Sequence, residues 1–228
     1  MHLVLITALL LAAVFGPRLW VGYVMRRHGR DIPGLPGTGG ELATHLIDAH
    51  GLDGVTVEPT DAGDHYDPDS RTVRLSPSNY QGKSLTAIAV AAHEVGHAIQ
   101  HQQGHRSLTV RTRLAPLVAR LGQLSVVAAG VAPLLGVITR HPVPFSLMLA
   151  LGLSGLVART ALHAVTLPTE WDASFGKALP ILKAGRYIAD GEERAVKRVL
   201  FAAALTYFAA ALADILNLAR WAAIFLRR

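Results

Sequence analysis

Residues Ala89 to His105 read AVAAHEVGHAIQHQQGH, and the fold turns on how this stretch is read. On a helix, side chains four positions apart share a face, so His93 and His97 can offer imidazole nitrogens to one ion, at about 2.0–2.1 Å if it is zinc. Glu94, one position beyond the first imidazole, is angled towards a water on that ion rather than towards the ion itself. The competing reading is a polar cluster on a buried helix. Two imidazoles and a carboxylate on an alanine-rich apolar segment are costly to bury without partners, which favours the ion. Gly96 and the alanines at 89, 91, 92 and 98 carry little bulk, so other elements can approach closely.

Outward from this helix the sequence predicts a small mixed domain. Ser84 is placed to cap the helix, which runs to about His101 with Gly104 beyond it. Upstream, VTVEP and RTVRLSP alternate with period two around the turn-rich TDAGDHYDPDS, predicting a short irregular hairpin. GLPGTGGELATHLIDAHGL opens with turn residues, places Leu42, Leu46 and Ile47 at helical spacing and closes at Gly51.

The composition then sets this domain beside a membrane. The 228 residues are 51% hydrophobic with 6% aromatics and a mean hydropathy of +0.34, too apolar for an ordinary soluble domain. Four runs, at about residues 2–25, 114–138, 143–167 and 199–226, match the roughly 20 residues that cross a bilayer core of about 30 Å. The first has RRHGR after it and no basic residue before it, the reverse of a secretory signal, and is read as a retained anchor with its start outside. Arg18, Trp20 and Tyr23 fit an interfacial end. The net charge of +6 comes from basic residues clustered beside the apolar runs, which favours a membrane surface over nucleic acid.

Lysine and arginine near the ends of the runs set the orientation. Arg26, Arg27, Arg30, Arg106, Arg111 and Arg113 flank the segment between runs one and two. Lys177, Lys183, Arg186, Arg194, Lys197 and Arg198 lie between runs three and four. Both segments are expected in the cytoplasm, with Arg140, Arg227 and Arg228 on the far side. The expected organisation is a transmembrane anchor at 1–25, a cytoplasmic domain at 26–113 that carries the His-Glu helix, transmembrane helices at 114–138 and 143–167, cytoplasmic helices at 168–198 and a last transmembrane helix at 199–226. The fold class is therefore mainly α: a polytopic membrane protein with about four transmembrane helices and a small cytoplasmic α+β domain.

With no cysteine in the chain, a zinc must be held by histidine and carboxylate. A catalytic zinc takes three protein ligands and keeps an open position. The metzincin pattern requires glycine and histidine where this chain has Gln100 and Gln103, and is excluded. A later glutamate is the alternative, and only Glu170, Glu192 and Glu193 lie downstream. Glu192 and Glu193 sit in DGEER, which reads as a solvated helix start. Glu170 sits in TLPTEWDASFGKAL just past the third run, where the proline suits a new helix, and two crossings after His97 return it to the face of the histidines.

Together, DHYDPDSRTVRLSPSNYQGKSLTAIAVAAHEVGHAIQH (Asp64–His101) and LPTEWDAS (Leu167–Ser174) resemble the YugP-type neutral zinc metallopeptidases of bacterial membranes, and the resemblance extends over most of the chain. It implies a membrane-embedded zinc peptidase of the bacterial plasma membrane, with His93, His97 and Glu170 as Zn2+ ligands and Glu94 as general base and acid. EWDAS is also similar to the glutamate helix of the HtpX and CAAX prenyl proteases. Those have aspartate where this chain has Ser174, which leaves Ser174 and Asp172 as candidates to orient an imidazole.

The expected activity is a zinc metalloendopeptidase, gluzincin-like, acting on polypeptides that include membrane-protein segments, with its active site facing the cytoplasm and membrane lipid around it. Candidate donors to the reacting carbonyl are His65, Tyr66, Tyr80, His105 and Tyr187. The edge of the hairpin could receive an extended substrate. The rival classes are a catalytically inactive scaffold with a structural zinc, which has no need of Glu94, and a metal or proton carrier, for which the runs lack a polar stripe. Arg159 and Asp214 form a candidate ion pair within the runs. His101, His105 and His163 are not assigned to the metal.

Overall fold

A computed structural model describes the backbone of residues 2–226 and the side chains of residues 5, 12, 15–206 and 208–216. Arg227 and Arg228, used above for orientation, and most side chains of the first apolar run lie outside the described residues. The chain divides into two compact units, one of Phe15–Thr109 with Leu167–Thr206, the other of Met1–Val14, Val110–Thr166 and Tyr207–Arg228.

Mainly helical elements follow one another: α1 (His2–His28), α2 (Gly39–Ala49), β1 (Thr56–Pro59), β2 (His65–Asp67), β3 (Thr72–Leu75), α3 (Pro77–Tyr80), α4 (Leu85–Gln102), α5 (Arg106–Thr139), α6 (Pro142–Trp171), a π-helical segment (Asp172–Ala178), α7 (Leu179–Ala184), a 3-10 turn (Asp190–Glu192) and α8 (Glu193–Leu226). Among the described residues, three helical stretches are long and apolar enough to cross a membrane: Arg106–Thr139, Pro142–Ala184 and Asp190–Leu216.

In the first unit α4 is the central helix, buried from Leu85 through Gln100. Its alanines let neighbours approach on every side, as expected of a helix that is apolar nearly all round. Leu42, Leu46 and Ile47 of α2, Val73 and Leu75 of β3, and Leu182, Val196, Val199 and Leu200 from the later helices complete the core. Capping follows the sequence. The Ser84 hydroxyl accepts from the Ala87 N–H at the start of α4, and Thr38 with Glu41 forms a reciprocal capping box on α2, each removing an orphan donor.

The sheet differs from the hairpin expected. Its order is β1-β3-β2, with β1 parallel to β3 and β2, from within the presumed turn, antiparallel to β3. HYD is only three residues long, too short to give an alternation signal, yet it supplies the hairpin partner. Arg74 donates to Asp67 at 2.7 Å, and this bond, with that from Ser70, holds the Asp67 carboxyl at about 2. Asp64 accepts from the Ser76 N–H and hydroxyl and from the Asn79 amide, fastening the loop to α3.

A second correction concerns Pro168. The sequence predicts a new helix opening there, but α6 runs through it to Trp171, as α5 runs through Pro116 and Pro133. A proline inside a long helix is tolerated where neighbouring groups re-satisfy the carbonyl it frees, so Pro168 does not mark a helix boundary. The α-helical hydrogen-bond pattern changes four residues later, in the π-helical segment.

In the second unit, α5 and α6 lie antiparallel. The Ser125 hydroxyl donates to the Leu151 carbonyl at 2.8 Å and accepts from the Gly155 N–H at 3.1 Å. Val126, Leu134, Val137, Ile138 and Leu147 are all well exposed, a surface suited to hydrocarbon. Arg159 and Asp214 form the anticipated pair in bidentate geometry, at 2.8 and 2.6 Å, which keeps a buried carboxylate neutralised. His163 Nε2 stands 3.7 Å from the same carboxylate.

Candidate metal centre

His93, Glu94 and His97 project from the second half of the buried helix α4, and Glu170 comes from the last turn of α6. All four are nearly inaccessible, at 4%, 6%, 5% and 2% exposure, so water cannot satisfy them. Glu170 Oε2 lies 3.2 Å from His93 Nε2 and 3.4 Å from His97 Nε2. Gly96 makes the approach possible. A Cβ there would lie 2.9 Å from the Ala173 carbonyl oxygen, so any side chain would push the π-helical segment, and Glu170 with it, away from α4.

The remaining imidazole nitrogens reveal the protonation pattern. Ser174 Oγ donates to the Leu200 carbonyl at 3.1 Å and therefore presents a lone pair to His93 Nδ1, 3.0 Å away. The Gln100 Nε2 amide donates to the Thr169 carbonyl at 2.9 Å and to Asp172 Oδ2 at 2.8 Å. That fixes Gln100 Oε1 towards His97 Nδ1, at 2.9 Å. Both Nδ1 atoms thus carry a proton, so that in the neutral imidazole each Nε2 offers its lone pair on the side of the Glu170 carboxylate. In that tautomer three electron-pair donors converge on one point, where a cation could join them. Ligand atoms about 2.0–2.1 Å from a tetrahedral zinc stand about 3.4 Å apart, which matches the spacing here, and the N/N/O set suits that metal. Among the described residues, His93, His97 and Glu170 form the group of ligating side chains with atoms within 4.8 Å of one another that could hold a metal ion.

Comparison with known proteins decides the family. The family described as "Putative neutral zinc metallopeptidase" matches residues 2–226. The chain belongs to that family. It is 42% identical over 191 residues to the "Putative membrane protease YugP" of Bacillus subtilis (strain 168), an alignment that covers 83% of this chain and 81% of that protein. No solved structure is similar to it. The zinc expected from the motif is the metal of the family, and the buried His93, His97 and Glu170 group can accept it.

Other expected site residues are placed elsewhere. Tyr66 pairs with His101 Nδ1 at 2.8 Å, with burial raising its phenol above the ordinary value, and Tyr187 pairs with His45 at 2.7 Å. His65 bonds the Gly63 carbonyl. His105 approaches Asp172 at 4.0 Å. Of the two candidates to orient an imidazole, Ser174 reaches His93 directly, while Asp172 reaches His97 only through Gln100. In the sequence Gln100 stands only as a mismatch to the metzincin pattern. Its position three residues after His97, on the same face, was the signal available.

Proposed function

We propose that this protein is a membrane-bound zinc metalloendopeptidase of the gluzincin type, with Glu94 as general base and acid and His93, His97 and Glu170 as the metal ligands. The convergence of two neutral imidazole nitrogens and one carboxylate oxygen beside the buried Glu94 supports this reading. Bound zinc would supply polarisation of the scissile carbonyl and acidification of water. Glu94, one residue from His93 on the same helix, takes the proton of the attacking water and returns it to the leaving amine. Ser174 and Gln100 hold the imidazoles in the tautomer that leaves Nε2 free for the ion. Burial of the whole group keeps bulk water from competing for these contacts.

The chain crosses the plasma membrane four times, with the metal centre on the cytoplasmic side. Basic residues flanking the segments that carry α4 and Glu170 support that orientation. Glu170 directly follows an apolar run, so the substrates are polypeptide segments close to the membrane surface.

Hydrolysis of an unfolded reporter by the protein in lipid bilayers tests this. The reporter is presented both free and fused behind a transmembrane segment, before and after zinc is stripped with a chelator. We expect cleavage to stop on chelation and return with zinc, and the fused reporter to be cut faster. Cleavage indifferent to chelation contradicts the zinc mechanism. Equal cleavage of both reporters contradicts the membrane-surface substrate. Stoichiometric zinc without cleavage of either would favour an inactive scaffold.

A further inference from the structure

We propose that Gln100 is a positioning residue that sets two of the three metal-ligand groups at once, through an amide relay backed by the charge of Asp172. The proposal rests on the reading of His93, His97 and Glu170 as zinc ligands. Gln100 is fully buried, and a primary amide offers one acceptor and two donor hydrogens. All three functions are engaged: Oε1 on His97 Nδ1, and Nε2 on the Thr169 carbonyl and Asp172 Oδ2.

The three contacts reach different elements. His97 lies on α4, one turn before Gln100. The Thr169 carbonyl belongs to the peptide that leads into Glu170, so its bond fixes the backbone from which the third ligand projects. Asp172 opens the π-helical segment, and its carboxylate occupies space that Gly176 leaves free by lacking a side chain. Gln100 is therefore a strap between the helix of the two imidazoles and the helix of the carboxylate. Loss of the strap loosens the relation between the two halves of the site as well as the orientation of one ring.

The relay also has a direction. Asp172, with Lys177 Nζ at 3.7 Å and His105 Nε2 at 4.0 Å, accepts from one end of the amide and polarises it. The other end then draws the His97 Nδ1 proton more strongly and makes Nε2 a better electron-pair donor. His93 has no such support: Ser174 is a neutral hydroxyl that passes its own proton to the Leu200 carbonyl. The two imidazoles are held by unequal devices, and substitution should reveal the inequality.

Zinc affinity by competition with a chromogenic chelator, on purified full-length protein in detergent, reads this independently of peptidase activity. Gln100→Leu removes all three bonds, and its zinc affinity should fall about 10- to 100-fold, the usual cost of losing a partner behind a ligand. Gln100→Glu gives His97 a stronger acceptor but loses both donors and sets its carboxylate against Asp172 and the Thr169 carbonyl, and because this breaks the strap its affinity should also fall. Adding Asp172→Asn restores a donor facing the new carboxylate. The double variant Gln100→Glu/Asp172→Asn should recover part of what Gln100→Glu alone loses, since the contact at position 172 returns while the bond to the Thr169 carbonyl does not. A residue that merely fills space would not show that rescue. If Gln100→Leu fails to fold, the Gln100→Glu single and double variants, which conserve volume, carry the test. Wild-type affinity in Gln100→Glu, or no recovery in the double variant, overturns the relay. Absence of zinc binding by the wild type instead overturns the metal-site reading on which the relay rests.

Discussion

Glu94→Gln should keep its zinc and lose peptide hydrolysis, by on the order of 10²–10⁴-fold, the range supplied by a positioned general base. The side chain belongs to α4 beside His93 and is as buried as the histidines. The amide is nearly isosteric, so the helix and the approach of Glu170 should be undisturbed. What changes is the capacity to take a proton from water and return it to the leaving amine. The expected pattern is a fall in kcat with little change in KM, because the lost interaction belongs to the transition state. Zinc content and cleavage of an unfolded reporter, measured on the same preparations, check it. Full activity in the variant would show that another group moves the proton.

Glu170→Gln should act on the other side of the same chemistry, releasing the metal. With the carboxylate replaced, two neutral nitrogens and an amide surround the centre, and no negative charge remains among the three to offset the ion. The amide would also be drawn to turn an N–H towards the lone pairs of His93 or His97, filling the centre with a hydrogen. Zinc affinity should fall by more than about 100-fold, beyond what loss of an outer partner costs, with hydrolysis lost in step. Chelator competition measures the first and the reporter assay the second. Unchanged affinity would remove Glu170 from the ligand set and point to another carboxylate.

The pair on α4 was legible because a helix fixes what lies four residues away, so local spacing alone brings His93 and His97 together. Glu170 lies 73 positions beyond His97 and was reached by elimination: cysteine is absent, the longer histidine motif is broken, and two apolar runs bring the chain back. The structure places its carboxylate oxygen 3.2 and 3.4 Å from the two imidazoles. Gln100 escaped notice because its meaning depends on what lies opposite, namely the Thr169 carbonyl and Asp172, and buried glutamine on an apolar helix has no pattern of its own. The sheet was half legible. β1 and β3 show alternation, but the parallel pairing between them and the insertion of β2 are set by tertiary packing. At Pro168 proline reads in the sequence as a helix start, yet α6 continues through it to Trp171, because a proline within a long helix need not end it.

The proposed function stands on one proposed arrangement, a zinc held by two imidazoles and one carboxylate with a position left for water. X-ray absorption at the zinc edge on the purified, zinc-loaded protein reads that arrangement directly. The account predicts a four-coordinate N/O shell at about 2.0–2.1 Å with multiple-scattering features of two imidazoles. A shell filled by four imidazoles, with His101 and His105 drawn into the set, would close the position needed for water and contradict the peptidase reading.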